Sequence, residues 1–275
     1  MLKPYLLNVI KLNLFFMGEH LRTKKSLGQH FLKDGNMIRK IVDSIDARPD
    51  DKVIEIGPGS GALTDYLVKR FSNVTAIEID QRMVEMLTAK YPDLDIVEED
   101  ILKYDWTDIL NSDKPIHIIG NLPYYITSQI LFSILEHRSK MSSALLMMQK
   151  EVAARIVADS GSKVYGILSV QCQLMSSPEI LFDVPPTVFV PPPSVESSVV
   201  KFVFDKPALD CTDEHLKTVV RMAFNQRRKK LSNALKRLDT DLPTGEFDFS
   251  LRAEALTPQM YEKLTARLEQ LGTFS

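Results

Sequence analysis

The chain has 275 residues, 44% hydrophobic and 25% charged, with a formal net charge of −2. That length buries one large core plus an appendage, the composition excludes a disordered chain, and a nucleic-acid partner would require basic charge gathered locally. Cys172 and Cys211 are too few for a disulfide framework, and neither they nor the five scattered histidines have metal-ligand spacing, so no metal is expected.

Residues 1–16 are apolar, but Asn8, Lys11 and Asn13 interrupt the run. It is too short to span a bilayer and no small-residue cleavage site follows. We expect Met17 to be the true start, with 1–16 an upstream extension, and a cytoplasmic protein without membrane partners. From Lys52 short apolar runs alternate with helical patterns. Lys52–Ile56, Val74–Ile79, Leu94–Val97, Ile116–Ile119 and Ala144–Met148 read as strands, and Ala62–Arg70 and Arg82–Lys90 as helices between them. Such alternation predicts parallel βαβ units in a doubly wound α/β sheet. The runs Ile167–Leu174 and Ser197–Phe204, joined through the proline-rich Val184–Pro193, are expected to pair as edge strands. After Phe204 the pattern turns helical. Val220, Phe224, Leu231, Leu235 and Leu238 fit one face of a long helix, and Thr257-Pro258 opens another with a stripe of Tyr261, Leu264, Leu268 and Leu271. The expected domains are 17–205, the α/β unit, and 206–275, a small all-α unit.

Glu55-Ile56-Gly57-Pro58-Gly59-Ser60-Gly61 closes the first long strand and opens a helix. The G-x-G-x-G spacing differs from the dinucleotide fingerprint and by itself fits either a tight βα turn or a cofactor loop. Glu78, near the end of the next strand, is placed to accept from ribose hydroxyls. Asp100, after the third, is placed to accept from an adenine amine. Glu98 and Glu99 read as solvated surface. Three strand ends facing one crevice favour an adenosine ligand. After the fourth comes Asn121-Leu122-Pro123-Tyr124. An exocyclic adenine amine is a poor nucleophile because its lone pair is delocalised. The Asn121 amide oxygen and the Leu122 carbonyl suit its two hydrogens, Pro123 fixes the turn, and Tyr124 suits stacking on an extruded base.

With Lys25–Leu32 (KSLGQHFL), Phe189–Pro193 (FVPPP), Ala223–Lys229 (AFNQRRK) and Arg252-Ala253-Glu254, these motifs make the chain resemble the ribosomal RNA adenine dimethyltransferase family over nearly everything after Met17. The resemblance implies a seven-stranded class I methyltransferase (Rossmann-like) sheet with a helical C-terminal domain. It implies S-adenosylmethionine as methyl donor, and two methyls placed on each of two adjacent adenosines near the 3′ end of small-subunit rRNA during ribosome biogenesis. Carried over, His30 and Leu32 line the methionine end with Gly57 against it, and Gly59 also belongs to the cofactor site. Glu78 holds the ribose, Asp100 the adenine, Asn121 borders both ligands, and Phe189 is a second aromatic wall opposite Tyr124. His30 stands where many relatives have asparagine. Lys24, Lys25, Arg221, Arg227, Arg228, Lys229 and Lys230 are expected to hold RNA phosphates, the last four on the outer face of the long helix. A monomer is expected. A large-subunit rRNA or DNA adenine methyltransferase, or a non-catalytic ribosome assembly factor, are the alternatives.

Overall fold

The computed structural model describes residues 27–107, 112–238 and 242–274. The expectations for 1–16, Met17, Lys24 and Lys25 lie outside the described residues.

A short strand β1 (Phe31–Leu32) leads into helix α1 (Gly35–Asp43), which Asp34 caps by accepting from the Met37 N–H at 2.7 Å. The alternation follows: β2 (Lys52–Ile56), α2 (Thr64–Arg70), β3 (Asn73–Glu78), α3 (Gln81–Lys90), β4 (Asp95–Glu98), β5 (Ile116–Asn121), α4 (Thr127–Glu136) and β6 (Ser143–Gln149). Then come α5 (Lys150–Ile156), α6 (Ile167–Met175), β7 (Ser177–Val184), β8 (Phe189–Val190) and β9 (Ser197–Val203). The seven-stranded sheet runs β4-β3-β2-β5-β6-β9-β7, parallel through β6 and antiparallel at β6–β9 and β9–β7. Strand order reverses between β2 and β5, and a doubly wound sheet opens its crevice at such a switch point.

Both faces of the sheet are buried, which is why its central strands read as nearly continuous apolar runs. Val53, Val74, Ile119, Leu145, Met147 and Val199 pack on one face against Ile38, Ile41 and Val42 of α1 and Leu67 of α2. Ile54, Ile118, Leu146 and Phe202 pack on the other against Ile130 and Ile134 of α4 and Val170 of α6. That second cluster continues into α7 (Asp213–Asn225) and α9 (Pro258–Gln270) through Leu216, Val220, Tyr261, Leu264 and Leu268. Two phenols anchor it: Tyr165 donates to the Leu256 carbonyl at 2.9 Å and Tyr261 to that of Ala253 at 2.8 Å.

Three expectations are corrected. Ile167–Leu174 is helical, within α6, and the edge partner of β9 is β7. The helix is buried almost all round, Ser169, Val170, Gln171, Cys172, Leu174 and Met175 included, so its apolar residues form no stripe. The predicted long helix through Leu238 ends at Asn225, and after a turn the chain resumes as α8 (Leu231–Ala234). The break is imposed from outside the segment, since the Leu231 N–H donates to the Leu251 carbonyl and Lys230 bridges to Arg252. Leu271 lies past the end of α9 and is 44% exposed, while Thr257 caps that helix by accepting from the Met260 N–H at 3.2 Å.

Candidate active site

At the carboxyl ends of β2, β3, β4 and β5 the chain leaves one pocket, closed on the far side by Leu27–Leu32. Its floor is the turn after β2. Gly57, Gly59 and Gly61 hold φ of +65°, +54° and +81°, a region that L side chains resist. A Cβ placed on Gly57 would meet no protein atom within 4 Å, so the missing side chain leaves open space in the pocket. Gly59 lies under the Phe31 ring, whose Cε1 would come within 2.8 Å of a Cβ there.

Glu78 fixes this turn. Its Oε2 accepts the Gly59 N–H at 2.9 Å, and its Oε1 accepts those of Ile79 and Asp80, each at 2.9 Å. Burial pushes the Glu78 carboxyl above its ordinary range, against the pull of these amides. Below it, burial pushes Glu55 up to about 8, although the Thr64 hydroxyl donates to it at 2.6 Å. Asp100 accepts the Leu102 N–H at 3.0 Å and lines the pocket. Glu99, expected in solvent, lines it too, because its N–H donates to the Glu78 carbonyl and carries the chain past that strand end.

Ile79 and Leu102 stay 52% and 40% exposed while lining the pocket, two apolar faces beside two carboxylates. An unfilled glycine floor, flat apolar contacts and acidic acceptors fit a purine nucleoside with a bulky substituent. Among the described residues no cluster of His, Cys, Asp or Glu could hold a metal ion.

One strand over, Asn121 ends β5. Its Nδ2 donates to the His30 carbonyl at 3.0 Å, which turns Oδ1 toward other partners. Leu122 is buried, its N–H donating to the Met147 carbonyl, and the Pro123 carbonyl accepts from the Thr127 hydroxyl at 3.0 Å. Tyr124 is half-buried and its hydroxyl lies 2.7 Å from Ser197 Oγ, which holds the ring at the pocket wall. Burial pushes that phenol up, opposed by Ser197.

The pocket thus brings together His30, Leu32, Gly57, Gly59, Glu78, Asp100 and Asn121–Tyr124. It does not include Phe189. That side chain is 1% exposed, packed with Leu32, Val184 and Val199, because β8 pairs antiparallel with β1 and sets Phe189 opposite Leu32. The basic segment also departs from the outer-helix expectation. Arg221 lies on α7, exposed, and Arg228, Lys229 and Lys230 are exposed in the turn that follows it. Arg227 instead turns inward, donating to the Ser162 carbonyl at 3.0 Å with Nε 3.4 Å from Glu254.

Phe31, Gln29 and the apolar pair Ile79 and Leu102 escaped the sequence reading. Only Ile79 carries a local signal, an apolar residue straight after an acidic strand end. Gln29 donates to buried Asp80 at 3.1 Å, tying the N-terminal segment to the β3–α3 turn.

The sheet order, the antiparallel β9 and the pocket at the switch point define a class I, Rossmann-like methyltransferase with a helical C-terminal region. The family described as ribosomal RNA adenine dimethylase matches residues 20–253, and the chain belongs to it. It is 44% identical to the ribosomal RNA small subunit methyltransferase A of Prosthecochloris aestuarii, over 90% of this chain and 95% of that one. It is also 44% identical to the protein of that name from Flavobacterium johnsoniae, over 94% and 100%. Among solved structures it resembles a dimethyladenosine transferase from Plasmodium falciparum (TM-score 0.75, 25% identity, covering 88% and 98%). It also resembles the 23S rRNA methyltransferase ErmE (TM-score 0.65, 26% identity, 87% and 100%).

Proposed function

We propose that this chain dimethylates the exocyclic amines of two adjacent adenosines near the 3′ end of small-subunit rRNA, with S-adenosylmethionine as donor, during ribosome assembly in the cytoplasm and as a monomer. One observation carries the reading: the open floor at Gly57 lies in the same pocket as the Asn121–Tyr124 turn, with the Glu78 and Asp100 carboxylates beside it. The family and the names of the relatives support the small-subunit substrate over the large-subunit one.

When bound, the donor supplies an electrophilic methyl carbon on a sulfonium. Glu78 and Asp100 accept from ribose and adenine, Ile79 and Leu102 cover the purine faces, and Gly57, Gly59, His30 and Leu32 surround the methionine end. Asn121 Oδ1 and the Leu122 carbonyl accept the two hydrogens of the target amine, so its lone pair turns toward the donor. Pro123 holds that turn and Tyr124 stacks on the base, offsetting an unstacking cost of a few kcal/mol. No strong base is needed, because the amine becomes acidic only once methylated. Positioning then supplies most of the rate. Residues 17–205 form the catalytic unit in this reading, and 206–275 meet the RNA through Arg221, Arg228, Lys229 and Lys230. Lys24 and Lys25 are assigned to the same electrostatic task, whereas Arg227 serves as an internal anchor.

The test incubates the purified protein with labelled S-adenosylmethionine and undermethylated small subunits, then maps the modified bases. Two neighbouring dimethyladenosines are expected. Label on large-subunit RNA or DNA instead would overturn the substrate assignment, and no label on any nucleic acid would leave an assembly factor.

A further inference from the structure

Four carboxylates border the pocket, those of Glu55, Glu78, Glu99 and Asp100, and three of them are already engaged. Glu78 accepts three backbone amides and Asp100 accepts the Leu102 N–H. Glu55 accepts the Thr64 hydroxyl, and burial, which pushes it up to about 8, keeps its proton on near neutrality. Glu99 differs. Its N–H on the Glu78 carbonyl sets it at the strand ends, where its half-buried side chain lines the cavity while that of Glu98, one residue back, is exposed. Among the described residues the Glu99 carboxylate forms no hydrogen bond and no ion pair, and no lysine or arginine lines the pocket.

We infer that Glu99 selects the donor by charge: its unengaged carboxylate favours the cationic sulfonium over the neutral product and over phosphorylated adenosines. The inference rests on the proposed S-adenosylmethionine reading and gives a role to a side chain that reading leaves idle. The donor's sulfur is bonded to the ribose 5′ carbon, so its positive charge travels with the adenosine that Glu78 and Asp100 are proposed to hold. The ammonium and carboxylate of the methionine end offset each other beside Gly57. Methyl transfer leaves the bonding electron pair on sulfur, and the resulting thioether is neutral. The product therefore keeps every adenosine contact and loses the attraction to Glu99. A concave wall shared with the apolar Ile79 and Leu102 screens such a charge less than open water does. An adenosine phosphate carries the opposite sign and is repelled by the same group.

The experiment measures calorimetric Kd values for three ligands of falling charge, S-adenosylmethionine, S-adenosylhomocysteine and adenosine 5′-monophosphate. Wild type, Glu99→Gln and Glu99→Ala are compared at low and high salt. Glu99→Gln keeps the size and an acceptor oxygen and removes the charge. It is expected to weaken the donor roughly 2- to 5-fold, hold the homocysteine product within about 1.5-fold, and tighten the monophosphate by roughly 2- to 5-fold. These differences should shrink as salt rises. Glu99→Ala should repeat the pattern. Equal weakening of donor and product would overturn the inference, because it would make Glu99 a hydrogen-bond acceptor for the shared adenosine. An unchanged ratio of donor to product affinity in both variants would also overturn it and leave Glu99 a solvated side chain. Wild type that binds neither sulfur compound would instead sink the donor reading, before any variant is compared.

Discussion

The strand-end pocket and the basic segment after α7 are both rich in motif residues, yet they are built in opposite ways. In the pocket, functional groups are fixed by backbone next to them in sequence or on the adjoining strand: Glu78 by the amides of Ile79, Asp80 and Gly59, and Leu122 by Met147. In the basic segment the shape is set by distant partners, Leu251, Arg252, Ser162 and Glu254. Similar-looking arginines there have different surroundings, Arg227 bonded inside the protein and Arg228 exposed. Neighbouring residues of like charge need not share a function when only one of them has found a carbonyl and a carboxylate inside the protein.

The largest expected effect breaks the pocket side of this comparison. Asn121→Ala removes the acceptor proposed for the amine, and single-turnover methyl transfer should fall by about 10²–10³-fold while RNA affinity holds. An effect below tenfold would mean that the main-chain carbonyl suffices. Next, Glu55→Gln tests the buried carboxyl. Its folded pKa is raised to about 8, so its favourable contribution is complete below the unfolded value near 4.5 and is lost as pH rises through the folded one. The variant keeps an acceptor for Thr64 and nothing to ionise. Between pH 5 and 8 it should lose less stability than wild type, by on the order of 1–3 kcal/mol at pH 8, read from denaturant melts across that range.

Gly57→Ala should destabilise the fold by about 1–2 kcal/mol through its positive φ, with no clash inside the protein. It should also weaken cofactor binding by more than that strain alone explains, because the methyl would enter the space proposed for the ligand; calorimetry beside thermal melts separates the two. The smallest effects sharpen the basic side. Arg227→Ala is expected to lower stability by about 1 kcal/mol with little change in the salt dependence of RNA binding. Arg228→Ala should do the reverse, leaving the melt alone and reducing the slope of log K against log salt by about one. Identical behaviour of the two variants would erase the distinction between them.

The same contrast explains what could be read from sequence. The parallel strands were legible because burial on both faces makes apolar runs, and Gly57–Gly61, Glu78, Asp100 and Asn121–Tyr124 because each closes or follows such a run. Helix α6 was not, since a helix buried all round has no stripe and imitates a buried strand. Its neighbour β7 is a strand that contains Pro178, tolerated there because β7 is the sheet edge. The burial of Phe189 depends on pairing with Leu32, far away in the chain, and no local pattern encodes that. Glu99 reached the pocket for a similar reason: a bond to Glu78 on the adjacent strand, not its own neighbours, decides where it lies.

The three amides gathered on Glu78 give one carboxylate two masters, the shape of the glycine turn and the sugar it is proposed to greet. Tuning this protein toward a different nucleotide by exchanging that residue would loosen the loop it is meant to leave intact. Any route to altered donor preference therefore runs first through the walls, Ile79 and Leu102, whose side chains face the cavity.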